Sequence, residues 1–337
     1  MKQLFEPIID AHLPMAEPIA AWSRLLHELN QRYKREFDRA ECLQAELTDI
    51  KASRAYPLFA WLRRCFSLLK KGQKPITNDN PTINLSQFQS LNEPLELQPL
   101  AGLVSIVIPF RDQWPLLHCC LISLRKIHYP RLEIILIDNG SRAEQTLQGL
   151  QVLANEPNIR IIRVDEPFNF ARLCNRGAAI ANGQTLLFLN NDVLVIEPQC
   201  LQSLLEPTTD QTVGVVGGML LYPNQTVQHA GLLQDDKAHW FHPFRYRRFP
   251  NEMQDVLKHA YWRVPAVTGA CLGIRRDRFA QLGGFDERWP TDFNDVDLCQ
   301  RATQQNWKVL LSTQSIWVHY ESFSRGYRKE SQTWQPG

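Results

Sequence analysis

The chain has 337 residues, of which 44% are hydrophobic and 21% charged, and its formal net charge at pH 7 is +2. These values are typical of a globular protein, and the length allows one large α/β domain with an appendage or two domains. The small net charge excludes a general affinity for nucleic acid, and no apolar run of the sequence approaches the ~18–20 residues needed to cross a bilayer.

Cysteine usage and the first residues favour a cytoplasmic protein. The eight cysteines form no CxxC pair and several lie in apolar runs, which predicts reduced, mostly buried thiols. The opening stretch MKQLFEPIIDAHLP lacks the continuous apolar core of a signal peptide.

Residues 1–74 are predicted to form an N-terminal helical region. Apolar residues recur every three or four positions over residues 17–50, as in a helix that buries one face. Residues 51–74 hold seven Lys or Arg, several aromatic residues and no acid. This segment suits peripheral contact with an anionic membrane, and it equally suits a solvated basic helix packed on its own domain. Residues 75–102, with four prolines and little periodicity, are predicted to be a linker.

From Leu103 onward, apolar runs alternate with segments of helical spacing. Four runs are predicted to be strands, namely LVSIVIPF, LEIILIDNGS, IRIIRVD and TLLFLNND. Strand–helix–strand alternation indicates right-handed βαβ units. We therefore predict a Rossmann-like α/β domain over residues 103–337, with a mostly parallel sheet flanked by helices.

Three successive strands of this domain end in an acidic residue, namely Asp138, Asp165 and Asp192. Asn190, Asn191 and Asp192 are poor strand residues, and the carboxyl ends of parallel strands face the crevice where ligands bind. The sequence has neither GxGxxG after the first strand nor a P-loop. A nucleotide diphosphate bound at this edge would need another partner, and a metal ion held by carboxylate and imidazole is the obvious one.

A second polar cluster lies near the end of the predicted domain. Asp295 and Asp297 lie at the start of a predicted helix, where helix capping explains one of the two carboxylates. Capping does not explain why Asp292 and Asn294 lie beside them. His319 directly follows an apolar strand-like run, as Asp192 does. A lone histidine is more often structural, but this position favours a ligand.

Seven stretches between about residues 103 and 326 together resemble one family. They are VSIVIPFRD, EIILIDNGS, FNFARLCNRGAA, LLFLNNDV, VTGACLGIRRDRFAQLGGFDE, FNDVDLCQRA and HYESFSRG. In this order they resemble the inverting family 2 glycosyltransferases of GT-A fold. The likeness is strongest to bacterial enzymes of O-antigen and surface-polysaccharide synthesis, including rhamnosyltransferase-like members. The resemblance implies a nucleotide-sugar donor and a glycan or lipid-linked acceptor.

The resemblance also implies roles for individual residues on the donor side. Asp138 matches the acid that holds the base or ribose of the donor, and Pro109 and Phe110 match the floor beneath it. Asn169 and Arg172 match the loop–helix element beside the nucleotide. The remaining matches on the donor side are Asn190, which would contact the ribose or a metal-bound water, together with Asn191, Gly269 and Ala270.

For the metal and the acceptor, the resemblance implies a smaller set. Asp192 stands where the family's Asp-x-Asp supplies its ligand to Mg²⁺ or Mn²⁺, and His319 matches the late metal-binding histidine. Asp295 matches the base that takes the proton of the acceptor hydroxyl. The family usually has Glu-Asp where this chain has Asn294-Asp295, so Asn294 is left with an acceptor-side contact. We assign Asp297 to helix capping or to orienting Arg301.

The sequence alone leaves two alternative functions possible and one segment without an assigned role. Asn294 makes a catalytically silent nucleotide-sugar-binding protein possible, whereas a metal-dependent nucleotidyltransferase would need a triphosphate loop that the sequence does not resemble. Residues 222–263 contain His229, His239 and His242 and also a basic aromatic tract, Arg245 to Phe249, but the histidines do not have the ligand spacing of a zinc site. We expect a mobile flap over donor or acceptor there.

Overall fold

The computed structural model describes residues 87–91 and 94–320. The predicted helix over residues 17–50 and the basic segment over residues 51–74 lie outside the described residues. Within the described part, no helix is long and apolar enough to cross a membrane.

The described chain begins inside the predicted linker, and there it is already part of the domain. Strand β1 (Gln89–Ser90) pairs antiparallel with residues 262–263. Phe88 is buried and contacts the rings of Phe244 and Trp262 edge-on, while the Glu96 amide donates to Asp210. Within the described residues, this part of the predicted linker thus packs on the sheet through a short edge strand and an aromatic anchor.

The predicted βαβ units are present and form a parallel half-sheet. Its strands are β2 (Val104–Phe110), β3 (Leu132–Asp138), β4 (Ile159–Arg163) and β5 (Thr185–Leu189). They lie in the order β4-β3-β2-β5, and every neighbouring pair is parallel. The connecting helices are α1 (Trp114–Leu124), α2 (Glu144–Leu153) and α3 (Phe170–Ile180). The carboxyl ends of all four strands therefore share one edge.

The second half of the domain extends the same sheet with mixed directions. Its elements in chain order are β6 (Val193–Val195), α4 (Cys200–Leu205), a 3₁₀ turn (Glu206–Thr209), β7 (Val213–Leu221), β8 (Val227–His229), β9 (Leu233–Gln234), β10 (Trp240–Phe241), α5 (Gln254–Leu257), β11 (Tyr261–Arg263), β12 (Cys271–Arg275), α6 (Arg276–Gln281), α7 (Asn294–Gln304) and β13 (Lys308–His319). The full order is β1-β11-β13-β7-β12-β5-β2-β3-β4, with β6 on β13 and β8 on β7.

The α/β class is confirmed, whereas the sheet is mixed rather than mostly parallel. Strand β12 runs antiparallel to both β5 and β7, although β13 is parallel to β7. A parallel connection needs a long crossover, usually a helix. Between β7 and β12 the chain has only short strands and the four-residue helix α5, so β12 returns in the opposite direction.

The core lies between the sheet and its helices. Every residue of β2, β5 and β7 is buried, which explains why these strands read as continuous apolar runs. The six cysteines of the described residues are free and buried, as the sequence predicted.

Candidate functional site

The acidic strand ends meet at one edge of the sheet, as predicted. Asp138 closes β3 and is 2% exposed. Its Oδ1 accepts a 2.8 Å hydrogen bond from the Ser141 amide, and its Oδ2 accepts a 3.0 Å bond from Nη1 of Arg163. Arg163 also donates through Nε to Asp165 at 2.8 Å. Arg163 was not predicted, because an arginine on a half-exposed edge strand carries no distinguishing pattern.

The turn after β3 brings the backbone of Gly140 close to the side chain of Asp165. Gly140 has φ +74°, and a Cβ there would lie 2.7 Å from Oδ1 of Asp165, so only glycine fits without displacement. The side-chain amide of Asn139 donates to the carbonyls of Val164 and Glu166. The backbone amide of Asn139 donates to Phe110 O at 2.8 Å, which ties the buried end of β2 to the same turn.

Asn169 and Arg172 brace the start of α3. Oδ1 of Asn169 accepts the Arg172 amide at 2.9 Å and thereby caps the helix, while its Nδ2 donates to the Glu287 carbonyl at 2.8 Å. The Arg172 guanidinium lies 3.0 Å from Glu166 and 2.9 Å from Glu287. Asn169 and Arg172, which are predicted to bind the nucleotide-sugar donor, thus join this helix to the loop before α7.

The deepest part of the edge joins Asp192 to His319. Oδ1 of Asp192 lies 3.2 Å from Nε2 of His319, and the two residues are 4% and 5% exposed. Pairing of β6 with β13 sets Val193 opposite His319, and the Tyr320 amide donates to Asp192 O at 3.0 Å. The predicted pair is therefore brought together by backbone register.

The neighbouring polar groups complete this centre. Nδ2 of Asn190 lies 3.4 Å from Nε2 of His319, and Oε1 of Gln228 lies 3.4 Å from its Nδ1. A proton on Nδ1, directed at Gln228, leaves Nε2 unprotonated, so that it can accept from Nδ2 of Asn190 or coordinate a cation. Gln228 was not predicted, since no sequence signal separates it from other polar residues of the 222–263 segment. Asn191 is half-buried beside Asp192.

Asp192 and His319 fit a divalent metal ion. No group within residues 87–91 and 94–320 donates a hydrogen bond to the buried Oδ1 of Asp192, an arrangement that a cation would relieve. A carboxylate oxygen is a ligand of both Mg²⁺ and Mn²⁺, and an additional imidazole nitrogen is compatible with Mn²⁺. Among the described residues, no group of three or more His, Cys, Asp or Glu is placed to hold a metal. Asp192 and His319 would thus supply two ligands from the described part of the chain.

Asp295 lies at the start of α7 on the same edge. Its Oδ2 accepts a 2.8 Å hydrogen bond from the Gly269 amide, and its Oδ1 accepts one from the Val296 amide at 2.8 Å. Burial raises the pKa of the Asp295 carboxyl, the amide hydrogen bonds oppose that shift, and the charge of Asp292 adds to it. The side chain stays half-buried and so reachable, whereas Asn294 is 3% exposed.

The segment 268–270 links the two centres. The Asn190 amide donates to Ala270 O at 3.0 Å on the metal side, and Gly269 donates to Asp295 on the other. A Cβ at Gly269 would lie 3.5 Å from Cβ of Asp295, an ordinary van der Waals distance, so the two residues are direct neighbours. The family resemblance predicts that Gly269 and Ala270 contact the donor, and in the structure they connect the end of strand β5 to helix α7.

Asp297 takes one of its two predicted roles. Its Oδ2 accepts hydrogen bonds from Nε and Nη2 of Arg301 at 2.8 and 2.6 Å. The residue before the helix, Phe293, has φ +64° and makes no side-chain cap. Asp297 therefore orients Arg301, while Asp292 is exposed and accepts only the Thr291 hydroxyl.

The fold places the chain in the GT-A class of glycosyltransferase folds. GalNAc-T7, solved with UDP, GalNAc and Mn²⁺, superposes with a TM-score of 0.55 at 21% identity, over 66% of this chain and 44% of that one. The mannosyltransferase PcManGT from Pyrobaculum calidifontis, solved with GDP-Man and Mn²⁺, superposes with a TM-score of 0.52 at 18% identity, over 70% and 63%. At these identities the likeness establishes the fold alone.

The chain belongs to glycosyl transferase family 2, whose model matches residues 105–283. It is 37% identical to the O-antigen biosynthesis protein RfbC of Myxococcus xanthus over 66% of this chain and 18% of that protein. It is 33% identical to the uncharacterized protein y4gI of Sinorhizobium fredii, over 68% and 26%. An N-acetylglucosaminyl-diphospho-decaprenol L-rhamnosyltransferase of Mycobacterium tuberculosis is 25% identical, over 63% and 74%. The chain thus spans about a fifth and a quarter of the first two relatives.

Proposed function

We propose that this chain is a metal-dependent inverting glycosyltransferase. It moves a sugar from a UDP- or dTDP-sugar to a hydroxyl group of a glycan or lipid-linked acceptor in cell-surface polysaccharide synthesis. The observation that carries the proposal is the placement, on one sheet edge, of the Asp192–His319 pair and of Asp295, linked through residues 268–270.

Asp295 is the proposed base. The acceptor oxygen attacks the anomeric carbon, the bond from that carbon to the diphosphate oxygen breaks, and the hydroxyl proton passes to the Asp295 carboxylate. Attack opposite the leaving group inverts the anomeric centre. A carboxyl whose pKa is raised by burial is a stronger base than an ordinary aspartate, which suits this task.

Asp192 and His319 are the proposed metal ligands, with Gln228 orienting the imidazole. When bound, Mg²⁺ or Mn²⁺ supplies Lewis-acid stabilisation of the charge that builds on the leaving diphosphate. The orphaned Oδ1 of Asp192 supports this assignment. Both solved structural neighbours are complexes with Mn²⁺, which supports the assignment.

The remaining edge is proposed to bind the nucleoside. Asp138, beside Asp165 and the glycine turn, offers carboxylate oxygens to the N–H of a base or the hydroxyls of a ribose. Pro109 and Phe110 are buried at the end of β2, where Phe110 O accepts the Asn139 amide, and Asn190 and Asn191 directly precede Asp192. Asn169 and Arg172 hold the α3 end of the pocket, and buried Asn294 is assigned to the acceptor side.

The cellular context is part of the same proposal. The names of the M. xanthus and M. tuberculosis relatives refer to O-antigen biosynthesis and to transfer onto a diphospho-decaprenol acceptor. For this chain we propose a cytoplasmic location at the inner face of the membrane, with residues 103–337 as the transferase domain. Residues 1–74 are proposed as the region that contacts the membrane or a partner.

A donor screen tests the function directly. The full chain is titrated calorimetrically with UDP-, dTDP- and GDP-sugars in the presence of either Mn²⁺ or EDTA. Binding of the donor to the folded chain can be measured in this way before the acceptor is known. The proposal predicts one metal-dependent donor and transfer from it to a lipid-linked acceptor, with inverted anomeric configuration by NMR. Donor binding without transfer would favour a silent binding protein, and release of diphosphate from a nucleoside triphosphate would favour a nucleotidyltransferase.

A further inference from the structure

His229 lies on β8, outside the set of residues that the proposed chemistry uses. It is fully buried, and its Nε2 lies 3.3 Å from two backbone amides, those of Gly231 and Thr268. An amide N–H can only donate, so Nε2 must be the unprotonated acceptor of both. The proton of the neutral ring is then on Nδ1.

The protonated nitrogen has its own partner. Nδ1 of His229 lies 3.1 Å from Nδ1 of His242, directly after β10, and the two rings meet at 80°. With Nδ1 of His229 as the donor, Nδ1 of His242 is the acceptor. Burial, followed by the charges of His242 and His319, lowers the pKa of His229, in agreement with a neutral ring. The two backbone amides at Nε2 and the His242 ring at Nδ1 thus favour the same tautomer of His229.

Thr268 is the first residue of the segment that reaches Asp295. Its hydroxyl accepts the Ala270 amide at 3.3 Å, and the intervening Gly269 donates its amide to Oδ2 of Asp295. One further contact supports the segment from the same side, since the Leu232 amide donates to Ala266 O at 2.9 Å.

We propose that His229 is a positioning residue for Asp295. Its unprotonated Nε2 fixes the Thr268 amide, so that the Gly269 amide meets the Asp295 carboxylate, and its Nδ1–H ties this arrangement to His242. The inference rests on the proposed function, because Asp295 is the base only in that reaction. Small displacements of a catalytic group have large kinetic effects.

Matched substitutions separate positioning from general stability. In His229→Gln the side-chain oxygen replaces Nε2 as acceptor, whereas His229→Leu fills similar space without one. We expect His229→Leu to bind the metal-dependent donor like the wild type but to lose on the order of 10²-fold in kcat. His229→Gln is expected to restore most of this rate. A folded His229→Leu chain with wild-type kcat would overturn the proposal.

Two readouts do not depend on transfer. Imidazole ¹⁵N shifts of the full chain should show His229 neutral with the proton on Nδ1, and a proton on Nε2 would contradict the inference. Amide hydrogen exchange of residues 266–270 should rise in His229→Leu but not in His229→Gln, and equal exchange in both would also contradict it. If the wild type transfers no sugar, the proposed function fails, and these two measurements still decide whether His229 positions the segment.

His242 gives a second variant if the buried site tolerates no change. Its side chain is half-buried, and His242→Phe keeps a ring but removes the acceptor for Nδ1–H. We expect the proton of His229 to stay on Nδ1 but to lose its hydrogen-bond acceptor, so that the ¹⁵N shift of Nδ1 changes and kcat falls. An unchanged Nδ1 shift together with an unchanged kcat would overturn the link to His242.

Discussion

Oδ1 of Asp192 lies 3.2 Å from Nε2 of His319, although the two residues come from the ends of different strands. Their approach is set by the antiparallel pairing of β6 with β13, which begins one residue after Asp192 and includes His319 itself. A buried carboxylate oxygen without a hydrogen bond beside an imidazole nitrogen is costly unless a cation joins them.

Replacing Asp192 tests this interpretation. Asp192→Asn removes the charged ligand, so metal-dependent donor binding should weaken. Changes in the outer shell of metal sites cost about 10–100-fold, and a direct ligand should cost at least as much. Calorimetric donor titration with and without EDTA measures the effect. Asp277→Asn is the matched control, because Asp277 pairs with Arg275 at the opposite end of β12. Equal loss in both variants would refute a specific metal role.

His319 should govern which cation is preferred. His319→Gln replaces an imidazole nitrogen by an oxygen, which favours Mg²⁺ relative to Mn²⁺. We therefore expect the ratio of Mn²⁺- to Mg²⁺-supported donor affinity to fall. His128→Gln, an exposed histidine before β3, should leave the ratio unchanged. A constant ratio in His319→Gln would argue against ligation by the imidazole.

The raised pKa of Asp295 predicts opposite effects of pH on rate and stability. The base must be ionised, so kcat at saturating metal should fall as pH drops through a pKa above the ordinary aspartate value of ~3.9. The folded state binds the carboxyl proton of Asp295 more tightly than the unfolded state does. The ionised carboxylate therefore lowers the free energy of unfolding at pH values above its folded pKa, and this effect is absent below pH ~3.9, where the carboxyl is protonated in both states. We expect Asp295→Asn to unfold at or above the wild-type temperature at neutral pH. Thermal unfolding across pH should show this difference closing in acid, and a less stable variant at neutral pH would contradict the account.

The sequence predicted the parts of the fold that local patterns encode. Strands β2 to β5 followed from apolar runs between helices of ordinary length, and their polar ends identified the edge. Antiparallel β12 could not be predicted, because its direction depends on the long segment 222–270, which has no regular periodicity. Gln228 was missed, and His229 was noted without this role, for a similar reason, since the pairing of β8 with β7 brings them to His319 and Thr268.

Membrane contact through residues 51–74 is a prediction from sequence alone. Seven cations near an anionic surface contribute ~1 kcal/mol each at most, diminishing with salt. Flotation of the full chain with anionic liposomes should therefore occur at low salt and decline as salt rises. A variant with these seven residues replaced by glutamine should not float. Equal flotation of both chains would favour a basic helix packed on its own domain.

The central claim is that Asp295 is the base, and Asp295→Asn tests it most directly. The amide keeps an oxygen for the Gly269 N–H but cannot take the acceptor proton. Asp297→Asn is the control, because it breaks only the contact with Arg301 and should cost about 0.5 kcal/mol of stability.

The decisive measurement is the rate of sugar transfer to a lipid-linked acceptor, run beside calorimetric donor titrations. For Asp295→Asn the account predicts wild-type metal-dependent donor affinity and a transfer rate lower by about 10²–10⁴-fold, the usual effect of losing a general base. Asp297→Asn should transfer at nearly the wild-type rate. Transfer at the wild-type rate by Asp295→Asn would contradict the account and place the base elsewhere.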